Sequence, residues 1–392
     1  MAHQLATRLS RPNLPANGGI TYGEVVVEPE SSGEDTARQL ALCLDVSTSM
    51  SGEKIAAVRQ GAKWILGLLN PQDSLSIVSF SDEAVVEMQA TRMDESRKDN
   101  ARELVENITI RGGTNITAGI ECSRSTLGES HDSETSSRRI LLLSDGQDRG
   151  HFERLAEDVA AEGISIMAAG IGRDYAEEVI RTLAESSQGK WRHLEEASEI
   201  REFFDRTVED ARTVVAVNPT LTLDVTTGTQ VNEVYRGAPQ IQPVDVDWQD
   251  NTAELPIPDL NEGTTQNIVI EFKAPEREPD NDYLLANVTL RTAGDEVAEQ
   301  FAINYTNDPE KLAVNNEEVE VAFEGTKLRT EMIDAETQVE QERVETKIHE
   351  IEEIHPTMDE EVTRLQEDHE TIIEEGRAGK DSVSRVVEED DH

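Results

Sequence analysis

The sequence has few of the residues that mark several classes of protein. Only two of its 392 residues are cysteines, and aromatic residues make up 4%. Two cysteines do not form the disulfide framework of a small secreted domain. No run approaches the roughly 20 apolar residues of a membrane-spanning helix, and the first residues lack the apolar core of a signal peptide. We therefore expect a cytoplasmic protein without membrane insertion.

Basic residues are also scarce, with 36 lysines and arginines against 81 acidic residues and a formal net charge of −45. A surface of this kind stays hydrated in concentrated salt, where ions screen its self-repulsion. The composition is typical of a halophilic, haloarchaeal protein, and an acidic scaffold from a less saline environment is the alternative. The charge argues against binding to nucleic-acid phosphates or to an anionic membrane surface.

Residues 38–213 alternate strand-like and helix-like segments. Continuous apolar strands such as "QLALCLDV" and "RRILLLSDG" are followed by amphipathic helices, a pattern that predicts an α/β domain. We expect a doubly wound, mostly parallel, Rossmann-like sheet with helices on both faces. The neighbouring segments "SLSIVSF" and "EAVVEM" leave no room for a crossover helix, so one edge strand should be antiparallel.

Residues 214–309 change to segments that alternate with a period of two, divided by Gly, Pro, Asn and Asp. They include "PTLTLDVT", "PVDVDW" and "TTQNIVIEFK", and the pattern predicts an antiparallel β-sandwich. In the N-terminal segment, residues 1–37, "ITYGEVVVE" at 20–28 has the same character. We expect it to add a strand to the sandwich, so that the first domain is inserted between its parts.

Residues 310–392 are acidic and helical. One helix is predicted to run from "FEGT" to Pro356 and a second from Thr357 to Gly376, with apolar residues at heptad spacing in each. Two helices joined at His355-Pro356 would form a hairpin or coiled-coil arm that supports a homo-oligomer. A single solvated helical tail is the alternative.

The stretch "LALCLDVSTSM", residues 40–50, ends a buried strand in oxygen-bearing side chains. Ligands of open parallel sheets bind beyond the carboxyl ends of the strands. With alternating side chains, Asp45, Ser47 and Ser49 would project one carboxylate and two hydroxyls toward a common point. Oxygen ligands of low total charge suit Mg²⁺ or Mn²⁺.

Two further segments fit the same site. Thr114 follows two glycines in "RGGTNITAGI", just before a helix, and "ILLLSDGQD" again ends a strand in an acid, Asp145. As an alternative, the serines would only cap the next helix and Asp145 would only form a turn. That alternative leaves unexplained why two separate buried strands end in an acid.

The segments "DVSTS", "GGTN" and "LLLSDG", in that order, resemble the metal-ion-dependent adhesion site of the von Willebrand factor A domain. The resemblance covers residues 38–213 and implies that Ser47, Ser49 and Thr114 ligate the metal through their hydroxyls. Asp45 and Asp145 would then hold coordinated waters, and the last coordination position would take an acidic residue of a protein partner.

The wider arrangement is similar to prokaryotic A-domain proteins of the calcium-activated chloride channel-like type, a name for sequence kinship only. By that kinship we expect an adaptor or scaffold, and the resemblance suggests a MoxR-type AAA ATPase system as its partner. One alternative is an assembly or oligomerisation protein that works through the sandwich and the helical tail and has a structural metal.

A metal-dependent hydrolase is a further alternative. We find no nucleophile and base in a recognisable arrangement and no phosphate-binding glycine loop. His131 and His151 flank the "RRILLLSDG" strand in polar segments. His151 is closer to Asp145, yet its position at the start of a helix favours an exposed residue. We therefore expect no catalytic residues.

Overall fold

The computed structural model describes residues 3–30, 37–127, 136–148, 150–172, 175–194, 197–255 and 257–384. The chain divides into two compact units. One, here called the α/β unit, comprises Ser32–Asn218 and Pro258–Asn261. The other, the two-sheet unit, comprises Met1–Ser31, Pro219–Ile257 and Glu262–His392. Three separate stretches of chain thus build the two-sheet unit, one before and two after the long insertion Ser32–Asn218.

The α/β unit is built on a six-stranded sheet with the strand order β6-β5-β4-β7-β8-β9. The strands are β4 (Ala37–Asp45), β5 (Ser74–Phe80), β6 (Ala84–Arg92), β7 (Ser136–Ser144), β8 (Ile164–Ile171) and β9 (Trp191–Leu194). All pair in parallel except β6, which pairs antiparallel with β5 at the edge. This is the mostly parallel sheet with one antiparallel edge strand that the sequence predicts.

Helices cover both faces of this sheet. They are α1 (Glu53–Leu68), α2 (Glu95–Asn107), α3 (Ile116–Leu127), α4 (Glu153–Ala160), α5 (Glu177–Ser186) and α6 (Ala197–Arg212). Successive strand residues point to opposite faces, so Leu42 and Leu44 pack in the core with α1 and α6, while Ala41 and Cys43 pack in the core with α3 and α5. Strand β4 is therefore buried on both faces, and only its carboxyl end leads out of the core. A short pair, β10 (Val214–Ala216) with β16 (Leu260–Asn261), also belongs to this unit.

The two-sheet unit has a five-stranded and a six-stranded sheet. In spatial order the first contains β1 (Gln4–Leu9), β3 (Gly19–Glu28), β17 (Gln266–Ala274), β12 (Gln230–Ala238) and β13 (Gln242–Pro243). The second contains β14 (Trp248–Gln249), β15 (Thr252–Leu255), β11 (Thr220–Val225), β18 (Asn281–Arg291), β19 (Glu296–Tyr305) and β2 (Asn13–Leu14). Pairing is antiparallel except between β19 and β2. The rings of Phe272 and Phe301, one from each sheet, lie 5.1 Å apart.

Strand β3 holds the N-terminal "ITYGEVVVE" segment. It pairs with β17 along its whole length, from Gly19 opposite Ala274 to Val27 opposite Gln266. The single strand predicted at "PVDVDW" is wrong, because only β13 and β14 form there and they belong to different sheets. Pro243 has no N–H to donate to a longer strand ladder, and the residues after it cross from one sheet to the other.

Five helices complete the described part of the two-sheet unit. They are α7 (Pro309–Leu312), α8 (Glu317–Asp334), α9 (Gln338–Ile354), α10 (Asp359–Glu375) and α11 (Arg377–Val383). Helix α8 packs on the first sheet, where the ring of Phe323 stacks on Tyr22 with centroids 4.4 Å apart. Buried side chains of α8, α9, α10 and α11 form one apolar cluster. None of the described helices is both long and apolar enough to cross a bilayer.

The prediction of one helix up to Pro356 is wrong, because the helix is interrupted between α8 and α9. Thr337 starts α9 as its N-cap, and its side chain and that of Glu340 form a capping box. Such a box satisfies the backbone N–H groups at the start of a helix, which have no partner within the helix. In a continuous helix these groups would already be paired. Val339, an apolar residue of the predicted helix, is 75% exposed. The junction at His355-Pro356 does separate two helices, α9 and α10.

Candidate functional site

Asp45, the last residue of β4, is fully buried and ties two strand ends together. Its Oδ1 accepts a hydrogen bond from the Ser47 backbone N–H at 2.8 Å, and its Oδ2 accepts one from Ser144 Oγ on β7 at 2.6 Å. The pKa of Asp45 is raised above its ordinary value, mainly because the carboxyl group is buried. The hydrogen bonds from Ser144 and Ser47 act to lower this pKa, and the charge of Asp145 acts to raise it. The geometry fixes this carboxylate in one orientation at the carboxyl edge of the sheet.

Ser47 and Ser49 do not continue the strand, contrary to the alternating arrangement expected from sequence. The chain turns into a 3₁₀ helix at Thr48–Met50, and this turn places Ser47 Oγ 3.0 Å from Ser49 Oγ. Ser47 is buried and Ser49 is exposed. Ser47 is the N-cap residue of the 3₁₀ helix, but its side chain makes no capping hydrogen bond. The N-cap residue of α1 is Gly52. Neither serine therefore caps α1.

Asp145 directly follows β7 and is also fully buried. Lys54 Nζ, from the first turn of α1, donates to Asp145 Oδ2 at 3.0 Å. Asp145 Oδ1 is buried and has no hydrogen-bond partner among the described residues. A buried carboxylate oxygen without a partner is costly unless a ligand or water satisfies it. This oxygen is therefore available to a cation or to a water that a cation holds.

Thr114 lies in a loop that is hydrogen-bonded to the loop after β4 and to the loop after β7. Thr48 donates to the carbonyl of Gly112 through its backbone N–H at 3.1 Å and through Oγ1 at 2.8 Å. On the other side, Ile116 N–H donates to Asp148 Oδ2 at 2.8 Å. Because the loop is bonded on both sides of Thr114, this residue belongs to the same edge of the sheet as Asp45 and Asp145.

The two glycines before Thr114 allow a close approach by Asp82, in the turn between β5 and β6. Asp82 Oδ2 accepts from Gly113 N–H at 3.0 Å. A Cβ added to Gly112 would lie 1.9 Å from Asp82 Oδ2, and one added to Gly113 would lie 2.5 Å from Asp82 Oδ1. Any side chain at these positions would therefore displace Asp82 or the loop.

Some residues at this edge were not identified from sequence. Ser144, beside Asp145 in "LLLSDG", is a signal that could have been used. Lys54 and Asp82 carried no local signal, because each lies among other charged residues of a helix start or a turn. Asp148 accepts a hydrogen bond from the backbone at the start of α3.

Further charged residues and histidines near these loops are placed as follows. Arg111 donates to Ser79 Oγ and lies 3.7 Å from Glu87, so it is held by neighbouring strands. His151 is exposed. His131 and Arg149 lie outside the described residues.

The donor set consists of hydroxyl and carboxylate oxygens, the ligands that Mg²⁺ and Mn²⁺ prefer. Asp45, Ser47, Ser49 and Asp145 are brought to one edge by β4 and β7, and Thr114 by its bonded loop. The donors fit a hard divalent cation, and the unpartnered Asp145 Oδ1 is the structural observation that favours one.

The α/β unit thus has a mostly parallel sheet with oxygen donors from three loops at its carboxyl edge. Residues 39–206 match the model of the von Willebrand factor type A domain family. This segment is therefore a von Willebrand factor type A domain, here called the A domain.

Curated relatives match parts of the chain. An uncharacterized protein of Synechocystis sp. is 24% identical over 273 residues, which cover 66% of this chain and 64% of that protein. Inter alpha-trypsin inhibitor heavy chain 4 of Mus musculus is 32% identical over 115 residues, covering 28% of this chain and 12% of that protein. The chain thus spans less than two thirds of either relative.

Two solved structures resemble the whole chain. A von Willebrand factor type A protein from Catenulispora acidiphila has a TM-score of 0.76 at 16% identity and covers 93% of this chain and 89% of its own. The ArnB paralog VWA2 from Sulfolobus acidocaldarius has a TM-score of 0.69 at 18% identity. That match covers 98% of this chain and 97% of the paralog. At these identities the likeness shows the fold alone.

Proposed function

We propose that the protein is a metal-dependent protein-binding module, an adaptor or scaffold rather than an enzyme. The observation that carries this proposal is the convergence of three oxygen-rich loops on one sheet edge, where Asp145 Oδ1 is buried and has no partner among the described residues. Ser47, Ser49 and Thr114 would hold a Mg²⁺ or Mn²⁺ ion through their hydroxyls, and Asp45 and Asp145 through water. The ion supplies a coordination position for a carboxylate of the partner.

The charge of the chain supports a coordinated contact. A net charge of −45 repels acidic partners at low salt, and in concentrated salt exposed ion pairs are screened. A direct bond between a cation and a carboxylate is short-ranged and depends on geometry more than on the surrounding field. We propose a haloarchaeal, cytoplasmic setting and a partner that presents an Asp or Glu, such as a component of a MoxR-type AAA ATPase system.

An assembly role for the helical region is the second candidate. Val339, Ile354 and Ile373 are 75%, 63% and 59% exposed, respectively, on α9 and α10. Exposed apolar side chains of this size support contacts between copies of the chain. In that case the A-domain metal would serve stability, and light scattering would give a mass above that of one chain whether or not Mg²⁺ is present. A metal-dependent hydrolase has no comparable support, since His151 is exposed.

The test is a pull-down from the native extract in high salt with Mg²⁺, comparing the wild type with Asp45→Ala/Ser47→Ala. The matched control is Asp99→Ala/Ser125→Ala, which removes the same two groups from exposed positions of α2 and α3. We expect that the wild type and the control retain partner proteins. The Asp45→Ala/Ser47→Ala variant should lose them, and so should the wild type after treatment with EDTA. Thr114→Ala, which leaves the buried Asp45 in place, gives the same comparison if the double variant folds poorly. Identical partners for all variants would refute metal-dependent capture.

A further inference from the structure

A second cluster of metal-ligand side chains lies within the two-sheet unit. Glu320 and Glu324 are on α8, and His355 directly follows α9. One ligand atom from each of the three lies within 4.8 Å of the other two. None of these residues belongs to the A domain or to its oxygen-lined edge.

The two glutamates are placed where their charges repel. Four residues apart on a helix, they share one face, and like charges at this spacing are destabilising. Glu320 is only 8% exposed, and His355, which faces them, is 2% exposed. Buried carboxylates need a cation close by. Arg11 reaches Glu320 Oε1 at 3.5 Å, but Arg11 is half exposed.

His355 supplies the independent observation that points to a ligand. Its Nε2 is buried and, within the ranges that the structure describes, makes no hydrogen bond, and the same holds for Glu324 Oε2. The two atoms lie 3.5 Å apart. Two ligands at about 2.0 Å from a tetrahedral metal are about 3.3 Å apart. A direct hydrogen bond between a charged imidazole and a carboxylate would bring these atoms to about 2.8 Å.

The backbone fixes the position of the imidazole. His355 is the C-cap of α9, its N–H donates to Ile351 O at 2.9 Å, and Pro356 prevents the helix from continuing. Just before α8, Asn315 Nδ2 donates to Glu320 Oε2 at 2.5 Å. A carboxylate oxygen has a second lone pair, so this bond orients Glu320 and leaves it able to ligate. Such outer contacts are usual around metal ligands.

We propose that Glu320, Glu324 and His355 form a binding site for a divalent transition-metal cation, with Zn²⁺ the best match. One imidazole and two carboxylates suit Zn²⁺, whereas Mg²⁺ prefers oxygen alone. Glu324 also lines a cavity of about 220 Å³ together with Tyr22, Phe323 and Ile351. Water from this cavity completes the coordination. The ion links the start of α8 to the end of α9, independently of the function proposed for the A domain.

The affinity for Zn²⁺ tests the site. Full-length protein is saturated with Mg²⁺ at millimolar concentration and dialysed against increasing Zn²⁺ at pH 7.5. His355→Ala and Glu324→Gln should each weaken the tightest Zn²⁺ site at least tenfold. His349→Ala is the matched control, because His349 lies on α9 beside Glu352 but is 65% exposed. It should bind Zn²⁺ as the wild type does.

A site-specific measurement separates a metal from a plain ion pair. In nitrogen-15 spectra of the imidazole rings, the His355 signals, assigned by their loss in His355→Ala, should shift with Zn²⁺. The proposal is overturned if Zn²⁺ leaves the His355 signals unchanged, which would show an ion pair only. It is also overturned if all variants bind Zn²⁺ equally. Glu324→Gln keeps the side-chain shape, so the test does not depend on the folding of His355→Ala.

Discussion

Two groups of buried charges, one from each unit, lie at different places in the fold. In the α/β unit, Asp45 ends strand β4 and Asp145 directly follows strand β7. In the two-sheet unit, one group of buried charges lies on helices α8 and α10. Arg329 of α8, whose side chain is 7% exposed, bonds Asp368 at 2.7 Å and Glu361 at 2.8 Å. The first arrangement leaves donors open to a ligand, and the second joins helices to each other.

The largest expected effect is on the helical side of this comparison. Arg329→Met leaves the partly buried carboxylate of Asp368 without its cation and leaves Glu361 paired only with the more exposed Arg364. Breaking a buried pair on one side costs about 3–5 kcal/mol. This loss of stability should appear as a lower midpoint of urea unfolding, followed by the helical signal.

Arg364→Met is the control for Arg329→Met. Arg364 is 42% exposed and pairs with Glu360 and Glu361 on its own helix, and exposed pairs contribute about 0–1 kcal/mol. Equal effects of the two substitutions would show that burial does not distinguish these ion pairs.

The strand-end side is tested next by Gly112→Ala. The added Cβ would lie 1.9 Å from Asp82 Oδ2, so either the Asp82 side chain, which holds the Gly113 N–H, or the loop that carries Thr114 must move. We expect Mg²⁺ affinity, measured by calorimetry, to fall about tenfold, or about 1.4 kcal/mol. Gly67→Ala is the control, since nothing lies within 4 Å of a Cβ there. An unchanged affinity in Gly112→Ala would separate this loop from the metal site.

A smaller effect of opposite sign is expected from Lys54→Met. The ammonium of Lys54 lies 3.0 Å from Asp145 Oδ2 and repels a cation at the same carboxylate. Two charges at about 4 Å interact by about 1 kcal/mol in high dielectric, so Mg²⁺ should bind about fivefold more tightly. Lys63→Met, which removes an exposed charge from the same helix, should leave the affinity unchanged. Weaker binding in Lys54→Met would show that Lys54 supports the site.

The smallest effect concerns pH and the helical region. Burial lowers the pKa of His369 from its ordinary value of 6.5, although Glu345 and Glu370 act to raise it. The folded state therefore favours the neutral ring. Its contribution to stability is complete above pH 6.5 and is lost as the pH falls from 6.5 toward the lowered value.

His369→Gln should remove that part of the pH dependence. Urea unfolding of both proteins at pH 7.5 and pH 5.5 measures it. The wild type should lose more stability than the variant on acidification, and parallel losses would contradict the assignment to His369.

Sequence reasoning predicted the α/β unit better than the helices of the two-sheet unit, for a physical reason. The sheet follows from local patterns, because a buried strand, its terminal acid and the following helix are contiguous. The oxygen-lined edge could be predicted for the same reason, down to Asp45 and Asp145. That they bind a metal stays a prediction.

Features that depend on distant partners could not be predicted. Lys54 meets Asp145 across 91 positions of the chain, and nothing near either residue indicates it. Among 81 acidic residues, periodicity does not show that Glu320 is buried while Glu318 is exposed. The break before Thr337 was readable as a capping box, but the apolar spacing on both sides favoured one helix.

The central claim is that three loops of the A domain form one site for Mg²⁺. Calorimetric titration of Mg²⁺ into metal-free protein tests it most directly, comparing the wild type, Thr114→Ala and the control Thr117→Ala, which removes a second threonine hydroxyl three residues along the chain. We predict one binding site in the wild type and in Thr117→Ala, weakened at least tenfold in Thr114→Ala. Equal affinities for all three proteins, or no binding to the wild type, would contradict the claim.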